Sequence, residues 1–126
     1  PDQVSAQITF NLGLAARIYA GGDIYLMPSK SEPCGLSQMN AMRYGTVPVV
    51  HATGGLKDTV TPFNRCDNTG CGYSFANYNA HELLYAAETA VKDYQNKPLW
   101  NGLISRGMAK DFSWKKAAGE YLEIIK

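Results

Sequence analysis

Two glycine-containing turns have the composition of a phosphate-binding site. The first lies within residues 28–38 and contains Gly35, and the second lies within residues 51–58 and contains the pair Gly54 and Gly55. Each turn follows a short apolar run and leads into a helical pattern. Free backbone N–H groups and the positive end of the helix dipole bind anions at a helix N-terminus, and glycine lets a phosphate approach the backbone. Two such turns at neighbouring strand ends favour a phosphorylated ligand.

A single carboxylate, Glu32, stands beside the first turn. A carboxylate would repel a phosphate, so its place in such a site would be next to the phosphate, facing polar groups such as sugar hydroxyls. The alternative is an exposed glutamate or a charge that caps the following helix. The spacing alone leaves both possibilities open.

The remaining residues that could do chemistry are isolated. His51 follows an apolar run near the two turns, so it could contact a ligand or simply cap and pack, and His81 suits a surface or capping role. The three cysteines include no pair with zinc-knuckle or CxxC spacing. Cys66 and Cys71 could meet in a loop disulfide or metal clip, but reduced, metal-free thiols are the prediction for a cytosolic protein. We expect no metal and no cofactor.

Apolar periodicity places both turns between strands and helices. Apolar residues at spacings of three and four predict helices, and short apolar runs bounded by glycine and proline predict buried strands. The predicted helices cover residues 5–20, 36–44, 56–60, 79–94, 98–110 and 113–125, and the predicted strands cover residues 23–28, 47–50 and 73–76. On the helix that begins at Asn79, the residues expected to face inward are Leu83, Leu84, Ala87, Ala90 and Val91. The polar stretch 61–72 is predicted to be the least ordered part of the chain.

Short buried strands that alternate with helices predict a parallel α/β sheet. Three strands are visible in the pattern, which leaves two bare sheet edges and a small core. We therefore predict the second half of a Rossmann-like doubly wound parallel sheet, whose first half is missing. Ligands bind beyond the carboxyl ends of the strands in such sheets, which is where both turns fall.

Composition argues against several classes of function. With 126 residues, 45% hydrophobic and 18% charged, the chain has the size and balance of one globular domain or part of one. A net charge of +1 gives no electrostatic case for binding nucleic acid or anionic lipid. The apolar runs are too short to span a membrane, and no signal-peptide pattern is present. We expect a cytoplasmic protein, and the start at Pro1 without a Met suggests an excised or trimmed piece.

Five segments together resemble the bacterial glycogen synthases and plant starch synthases. Residues 18–29 read IYAGGDIYLMPS, similar to the family's IYAGADxxLxPS, and residues 32–38 read EPCGLSQ, a form of the family's EPCGL motif. Residues 44–50 and 53–60 read YGTVPVV and TGGLKDTV, similar to YGxxPxV and TGGLxDTV, and residues 111–114 read DFSW. The segments occur in the family order, and EPCGL together with TGGLxDTV is highly specific.

The resemblance implies a GT-B glycosyltransferase, in which two Rossmann-like domains face a cleft. The family transfers glucose from ADP-glucose to the non-reducing end of an α-1,4-glucan, with retention of configuration and without a metal. By this resemblance, Glu32 matches an essential glutamate that contacts the donor glucose. The other positions that match donor-binding residues of the family are Cys34, Gly35, Leu36, Ser37, Thr53, Gly54, Gly55 and Phe10.

The implied roles divide these residues by the part of the donor that they would face. Cys34 would lie beside the sugar, and Phe10 falls where the family often has an aromatic residue that stacks on adenine. The backbone N–H groups around Gly35, Leu36 and Ser37 would face the distal phosphate. The remaining residues that would line the same pocket are Thr53, Gly54 and Gly55.

The resemblance also implies parts that these residues do not supply. Residues 1–126 would form a partial C-terminal nucleotide-sugar-binding domain that ends in the helix 113–125. The acceptor side would belong to an N-terminal domain, and an Arg and a Lys for the leaving phosphate would belong to the first part of this domain. We therefore expect the isolated chain to be inactive and to self-associate through its bare strand edge.

One departure from related families bears on the alternatives. Related GT-B families place a second glutamate, usually on the ribose, at the position of Asn40. Another GT-B transferase would combine that glutamate with an EGFGL-type turn, and the observed Pro33, Cys34 and Asn40 argue against it. A non-catalytic module that binds nucleotide or glucan is the alternative from a different class.

Overall fold

A computed structural model describes residues 2–125 of the chain. Within that part, three strands alternate with helices, and each strand lies within one residue of its predicted bounds. In chain order the elements are α1 (Leu12–Gly21), β1 (Ile24–Met27), α2 (Ser37–Arg43), β2 (Val47–His51), α3 (Gly54–Thr59), β3 (Tyr73–Phe75), α4 (Ala80–Tyr94), α5 (Lys97–Met108) and α6 (Trp114–Ile125).

The first helix begins later than its apolar pattern predicts. Helix α1 starts after Asn11, whose side chain accepts a hydrogen bond from the N–H of Leu14 at 2.9 Å. Ile8, which belongs to the predicted stripe, is 101% exposed and packs against nothing in the described chain. Without a surface to bury that stripe, the preceding residues gain little from helix formation, and the predicted helix 5–20 is wrong at its start.

The three strands form one parallel sheet in the order β1-β2-β3. Ile24 lies beside Val47, and Val49 lies beside Tyr73, so the carboxyl ends of all three strands reach the same edge. Every residue of the central strand β2 is buried, whereas Leu26 on β1 is 50% exposed. The predicted parallel α/β sheet is confirmed.

Successive residues of β2 enter different hydrophobic clusters because side chains alternate across a sheet. Val49 joins the cluster under α4 and α5, which contains Trp100 and Leu103. Val50 joins the cluster under α2 and α3, which contains Met42 and Leu56. The two helical layers cover both faces of the sheet and fix the strand ends from which the turns leave.

The buried face of α4 is displaced from the predicted one. Ala86, Ala90 and Asp93 are buried, whereas Leu84 and Val91 are 56% and 54% exposed. Asp93 accepts hydrogen bonds from Arg65 at 2.6 Å and from the Tyr73 hydroxyl at 2.8 Å. A pattern built on apolar residues alone misses a face that contains a paired, buried carboxylate.

The polar stretch 61–72 is held by two bridges within it and by a hydrogen bond from α5. Two isolated bridges, Pro62 with Gly72 and Asn64 with Thr69, close it on itself. The Arg106 Nε donates to the Gly70 carbonyl at 2.6 Å. These contacts fix the conformation of residues 61–72, although their composition is typical of a flexible loop.

The cysteines and the last helix complete the description. The three cysteines are free in residues 2–125; Cys71 is buried and Cys66 is exposed. Ser113 caps α6, since its Oγ accepts from the Lys116 N–H at 3.4 Å. Trp114 is 86% exposed, because α6 lays no residue into the core of the described chain. None of the helices between residues 2 and 125 has the length and apolar character needed to span a bilayer.

Candidate functional site

The two turns predicted to bind the ligand lie side by side. Strand β1 ends at Met27 and is followed by the turn that contains Glu32, while β2 ends at His51 and is followed by α3. Because β1 and β2 are adjacent and parallel, both turns leave the same edge of the sheet. The structure therefore brings the residues predicted from 32–37 close to those predicted from 53–55.

The backbones of the two turns touch at Gly54 and Gly55. The Gly55 N–H lies 3.2 Å from the carbonyl oxygen of Glu32 and 3.1 Å from that of Pro33. A Cβ added to Gly54 would lie 2.1 Å from the Glu32 carbonyl oxygen, and one added to Gly55 would lie 1.9 Å from that of Cys34. Both positions need glycine because one turn packs directly on the other, a reason different from phosphate approach.

Gly35 places the start of α2 beside these glycines. It is buried, and its φ of +70° lies in the left-handed region that favours glycine. Helix α2 follows after Leu36, which makes no side-chain cap. Within residues 2–125, the backbone N–H groups of Leu36 and Ser37 have no hydrogen-bond acceptor. These N–H groups are available to an anion.

Glu32 has a carboxylate without a protein partner. Its side chain is half-buried, and in the described chain it makes no hydrogen bond or ion pair. The start of α2 has no side-chain cap from any residue. The structure therefore does not use Glu32 as a helix cap, which was one of the two alternatives to a sugar contact; the other was an exposed glutamate.

Tyr25, on β1, lies close to Glu32. Its side chain is half-buried, and burial raises the pKa of the phenol, with smaller contributions from Tyr19 and Glu32. The Ser37 hydroxyl acts in the opposite direction on this pKa. The Tyr25 phenol is therefore neutral, and its hydroxyl can donate or accept a hydrogen bond.

His51 connects the turns that follow all three strands. Its Nδ1 lies 2.8 Å from the carbonyl oxygen of Ser29, and its Nε2 lies 3.3 Å from that of Ala76. The ring also lies 5.3 Å from the rings of Phe75 and Tyr78. Both ring nitrogens face protein carbonyls, so the structure gives His51 a packing role, one of the two that its position after a strand allowed.

The other predicted site residues are accessible. Cys34 is an exposed free thiol, and Leu36 is 68% exposed. Thr53 is half-buried at the N-cap of α3, where its hydroxyl makes no capping bond. Phe10 is 91% exposed just before α1, so the structure does not pack it against the two turns.

The site is an open surface at the sheet edge. A cavity of about 340 Å³ lies near it, between Pro28 and Tyr78, and one of about 430 Å³ lies between α2 and the α5–α6 junction, where Asn40 contributes to the wall. None of the predicted donor-binding residues lines either cavity. Residues 2–125 also contain no group of three side chains that could hold a metal ion.

Residues 4–101 match the family described as Glycosyl transferases group 1. The chain belongs to this family. The match spans all three strands and both turns of this group 1 glycosyltransferase chain.

Relatives of this glycosyltransferase chain include glycogen synthases. The glycogen synthase of Kosmotoga olearia is 56% identical over 126 residues, which are all of this chain and 26% of that protein. The glycogen synthase of Clostridioides difficile is 54% identical over 122 residues, 97% of this chain and 25% of that protein. The resemblance to glycogen synthases is confirmed, and the chain spans about a quarter of the length of these relatives.

Solved structures agree with this family. The catalytic domain of starch synthase IV from Arabidopsis thaliana, bound to ADP and acarbose, superimposes with a TM-score of 0.83 and 36% identity over 91% of this chain and 24% of that chain. Sucrose-phosphate synthase from Thermosynechococcus elongatus gives a TM-score of 0.70 at 26% identity, covering 98% of this chain and 30% of that one. The predicted fold class, part of a GT-B glycosyltransferase, is confirmed.

Proposed function

We propose that this chain is the donor-sugar part of a retaining glucosyltransferase that moves glucose from ADP-glucose to the non-reducing end of an α-1,4-glucan. The observation that carries the proposal is the Glu32 carboxylate, half-buried and unpartnered in the described chain, beside the open N-terminus of α2. Identity above 50% to glycogen synthases supports the substrate class. The starch synthase structure that this chain resembles holds ADP and acarbose.

The proposed chemistry follows from where charge develops. As the bond between glucose and ADP breaks, negative charge grows on the leaving phosphate and the glucosyl group becomes cation-like. The N–H groups of Leu36 and Ser37 would stabilise the phosphate without reorganising. The Glu32 carboxylate would face the sugar, where a negative charge binds hydroxyls and favours the cation-like transition state.

The remaining donor contacts are part of the same proposal. Cys34 would lie beside the sugar, and the Thr53 hydroxyl, which makes no capping bond, would complete the pocket. Phe10, accessible before α1, would stack on adenine. Residues 1–126 would be part of a C-terminal nucleotide-sugar-binding domain, and a separate N-terminal domain would bind the glucan.

A transfer assay on a full-length protein that carries this sequence tests the proposal. Glu32→Gln keeps the size of the side chain and removes its charge, and we expect kcat to fall about a hundredfold or more, equivalent to ~3 kcal/mol in the barrier. ADP binding should change little, because the nucleotide lies beyond the sugar. Glu88→Gln, an exposed change on α4, is the matched control and should leave kcat unchanged.

The donor and the binding measurement separate the alternatives. ADP-glucose should be used in preference to UDP-glucose by the unsubstituted protein. Full activity in Glu32→Gln would remove Glu32 from the reaction. Binding of ADP-glucose or maltooligosaccharide without any transfer would favour the non-catalytic module.

A further inference from the structure

The side chains of Gln38 and Thr59 link the first turn to α3 through hydrogen bonds. Gln38 is fully buried (0% exposed) in the first turn of α2. Its Nε2 donates to the Gly35 carbonyl at 2.8 Å and to Thr59 Oγ1 at 3.0 Å, and it lies 3.3 Å from the Cys34 carbonyl oxygen. One buried amide therefore contacts two carbonyls of the 32–35 turn and a hydroxyl of α3.

The donors and acceptors form a closed path. The Thr59 hydroxyl donates to the Gly55 carbonyl at 2.6 Å, which leaves its lone pairs to accept from Gln38. The Gly55 N–H donates in turn to the carbonyl oxygens of Glu32 and Pro33. The path runs from the turn through α2 to α3 and back to the turn.

The nitrogen of Gln38, and not its bulk, explains why an amide lies here. Its Oε1 is buried and has no hydrogen-bond partner in the described chain. An unpaired buried oxygen is destabilising, and an apolar side chain of the same length would avoid that cost. The favourable contribution of Gln38 therefore lies in the carbonyls and the hydroxyl that its Nε2 binds.

We propose that Gln38 and Thr59 are positioning residues that fix the backbone of the 32–35 turn and thereby aim the Glu32 carboxylate and the free N–H groups of α2 at the donor. Both belong to segments that marked the family resemblance, yet neither had a role in the donor site. The chemical part of this inference rests on the proposed function, and its structural part rests on the hydrogen bonds alone.

Two near-isosteric substitutions in a full-length protein that carries this sequence test it. Gln38→Met keeps the length of the side chain without an N–H donor, and Thr59→Val keeps the shape without the hydroxyl. Each should lower kcat for transfer from ADP-glucose on the order of tenfold or more, because misplacing catalytic groups slows the reaction. The double variant should be no slower than the slower single variant, because both act through one path.

The control and a second measurement keep structural loss apart from misplacement. Leu103→Val, a change at a fully buried residue of the other cluster, should lower the melting temperature and leave kcat within about twofold. Amide hydrogen exchange at Gly55, whose N–H binds the first turn, should speed up on the order of tenfold in Gln38→Met and Thr59→Val and not in the control.

The two measurements test the hydrogen-bond path and the positioning role separately. Unchanged exchange at Gly55 would overturn the path, and faster exchange with unchanged kcat would overturn the positioning role. Additive losses in the double variant would mean that the two residues act separately. If the unsubstituted protein transfers no glucose, the proposed function fails, and exchange at Gly55 alone decides whether Gln38 holds the turn.

Discussion

Gly35 meets two independent requirements at a single residue. Its φ of +70° is accessible to glycine at little cost, and a Cβ there would lie 2.5 Å from Gln38 Oε1. A side chain would therefore strain the backbone and push on the buried amide that holds the turn. Both effects act on the residue just before Leu36, which precedes the uncapped N-terminus of α2.

Gly35→Ala should lower the free energy of unfolding by about 1–3 kcal/mol, the usual cost of a left-handed residue that is not glycine. It should also raise the KM for ADP-glucose in a full-length protein. Urea denaturation and steady-state kinetics check the two effects. Gly119→Ala is the matched control, because nothing lies within 4 Å of its added Cβ and alanine favours the helix. Equal behaviour of the two variants would contradict the special geometry of Gly35.

The sequence predicted that the two turns lie together, and it left the contacts between them open. The motifs placed Glu32, Gly35 and the pair 54–55 at neighbouring strand ends, which the structure bears out. They could not reveal that Gly55 is glycine because of a carbonyl contact across the two turns. His51 stood out by its position, but only the structure shows carbonyl oxygens at both ring nitrogens.

Gly55 lies at the contact between the two turns. Gly55→Ala would bring a Cβ to 1.9 Å from the Cys34 carbonyl oxygen, so one turn must move away from the other. We expect unfolding to become easier by about 1–3 kcal/mol, as for other overpacked positions, together with weaker donor binding. Urea denaturation and calorimetry with ADP-glucose measure both. Gly21→Ala, at the end of α1 with nothing within 4 Å, should change neither.

The junction of β3 and α4 carries a pH dependence. The Glu82 carboxylate accepts from the Asn77 N–H at 2.8 Å and from the Ala76 N–H at 3.1 Å, and these bonds, those of Asn77 first, hold the pKa of Glu82 below its ordinary value of 4.5. A lowered pKa in the folded state stabilises the protein above pH 4.5, and that stabilisation is lost as the pH falls through the folded value.

Glu82→Gln should therefore be less stable than the unsubstituted protein at neutral pH and equally stable in strong acid. Urea midpoints measured between pH 7 and about pH 2 would follow this difference. Glu88→Gln removes a carboxylate from the same helix that makes no hydrogen bond in the described chain, so it controls for the loss of charge alone. A Glu82→Gln difference that is constant with pH would contradict the assignment.

Strands and helices were predicted correctly where the apolar pattern of the sequence matches the residues that are buried in the structure. The strands β1 and β2 are short apolar runs near glycine and proline, and their bounds were predicted almost to the residue. Helix α1 was predicted too long because Ile8 has nothing to pack against. The buried face of α4 was misplaced because Asp93 faces the core, paired with Arg65 and Tyr73.

The sheet within residues 2–125 has an unpaired edge along β1. Strand β1 pairs only with β2 in the described chain, and Leu26 on it is 50% exposed. An unpaired strand edge can add a strand from another molecule. We expect the 126-residue chain to self-associate and to transfer no glucose on its own, because it spans about a quarter of its glycogen synthase relatives.

Light scattering and a glucose-transfer assay on the isolated chain check this prediction. Leu26→Lys should shift the chain towards monomer, because a charged side chain on an edge strand opposes pairing. Leu84→Lys places the same charge at a similarly exposed position on α4 and should leave the association unchanged. Transfer of glucose by a monomer of this length would show that a whole active site lies within these residues.

The two tryptophans lie in opposite environments, one buried and one exposed. Trp100 is 2% exposed between the rings of Tyr73 and Tyr94, whereas Trp114 is 86% exposed on α6. These 126 residues therefore contain two separate tryptophan fluorophores, one that emits from an apolar environment and one that emits from water. Melting of the sheet layers changes the emission of Trp100. Anything that covers α6 shifts the emission of Trp114 and leaves the other unchanged.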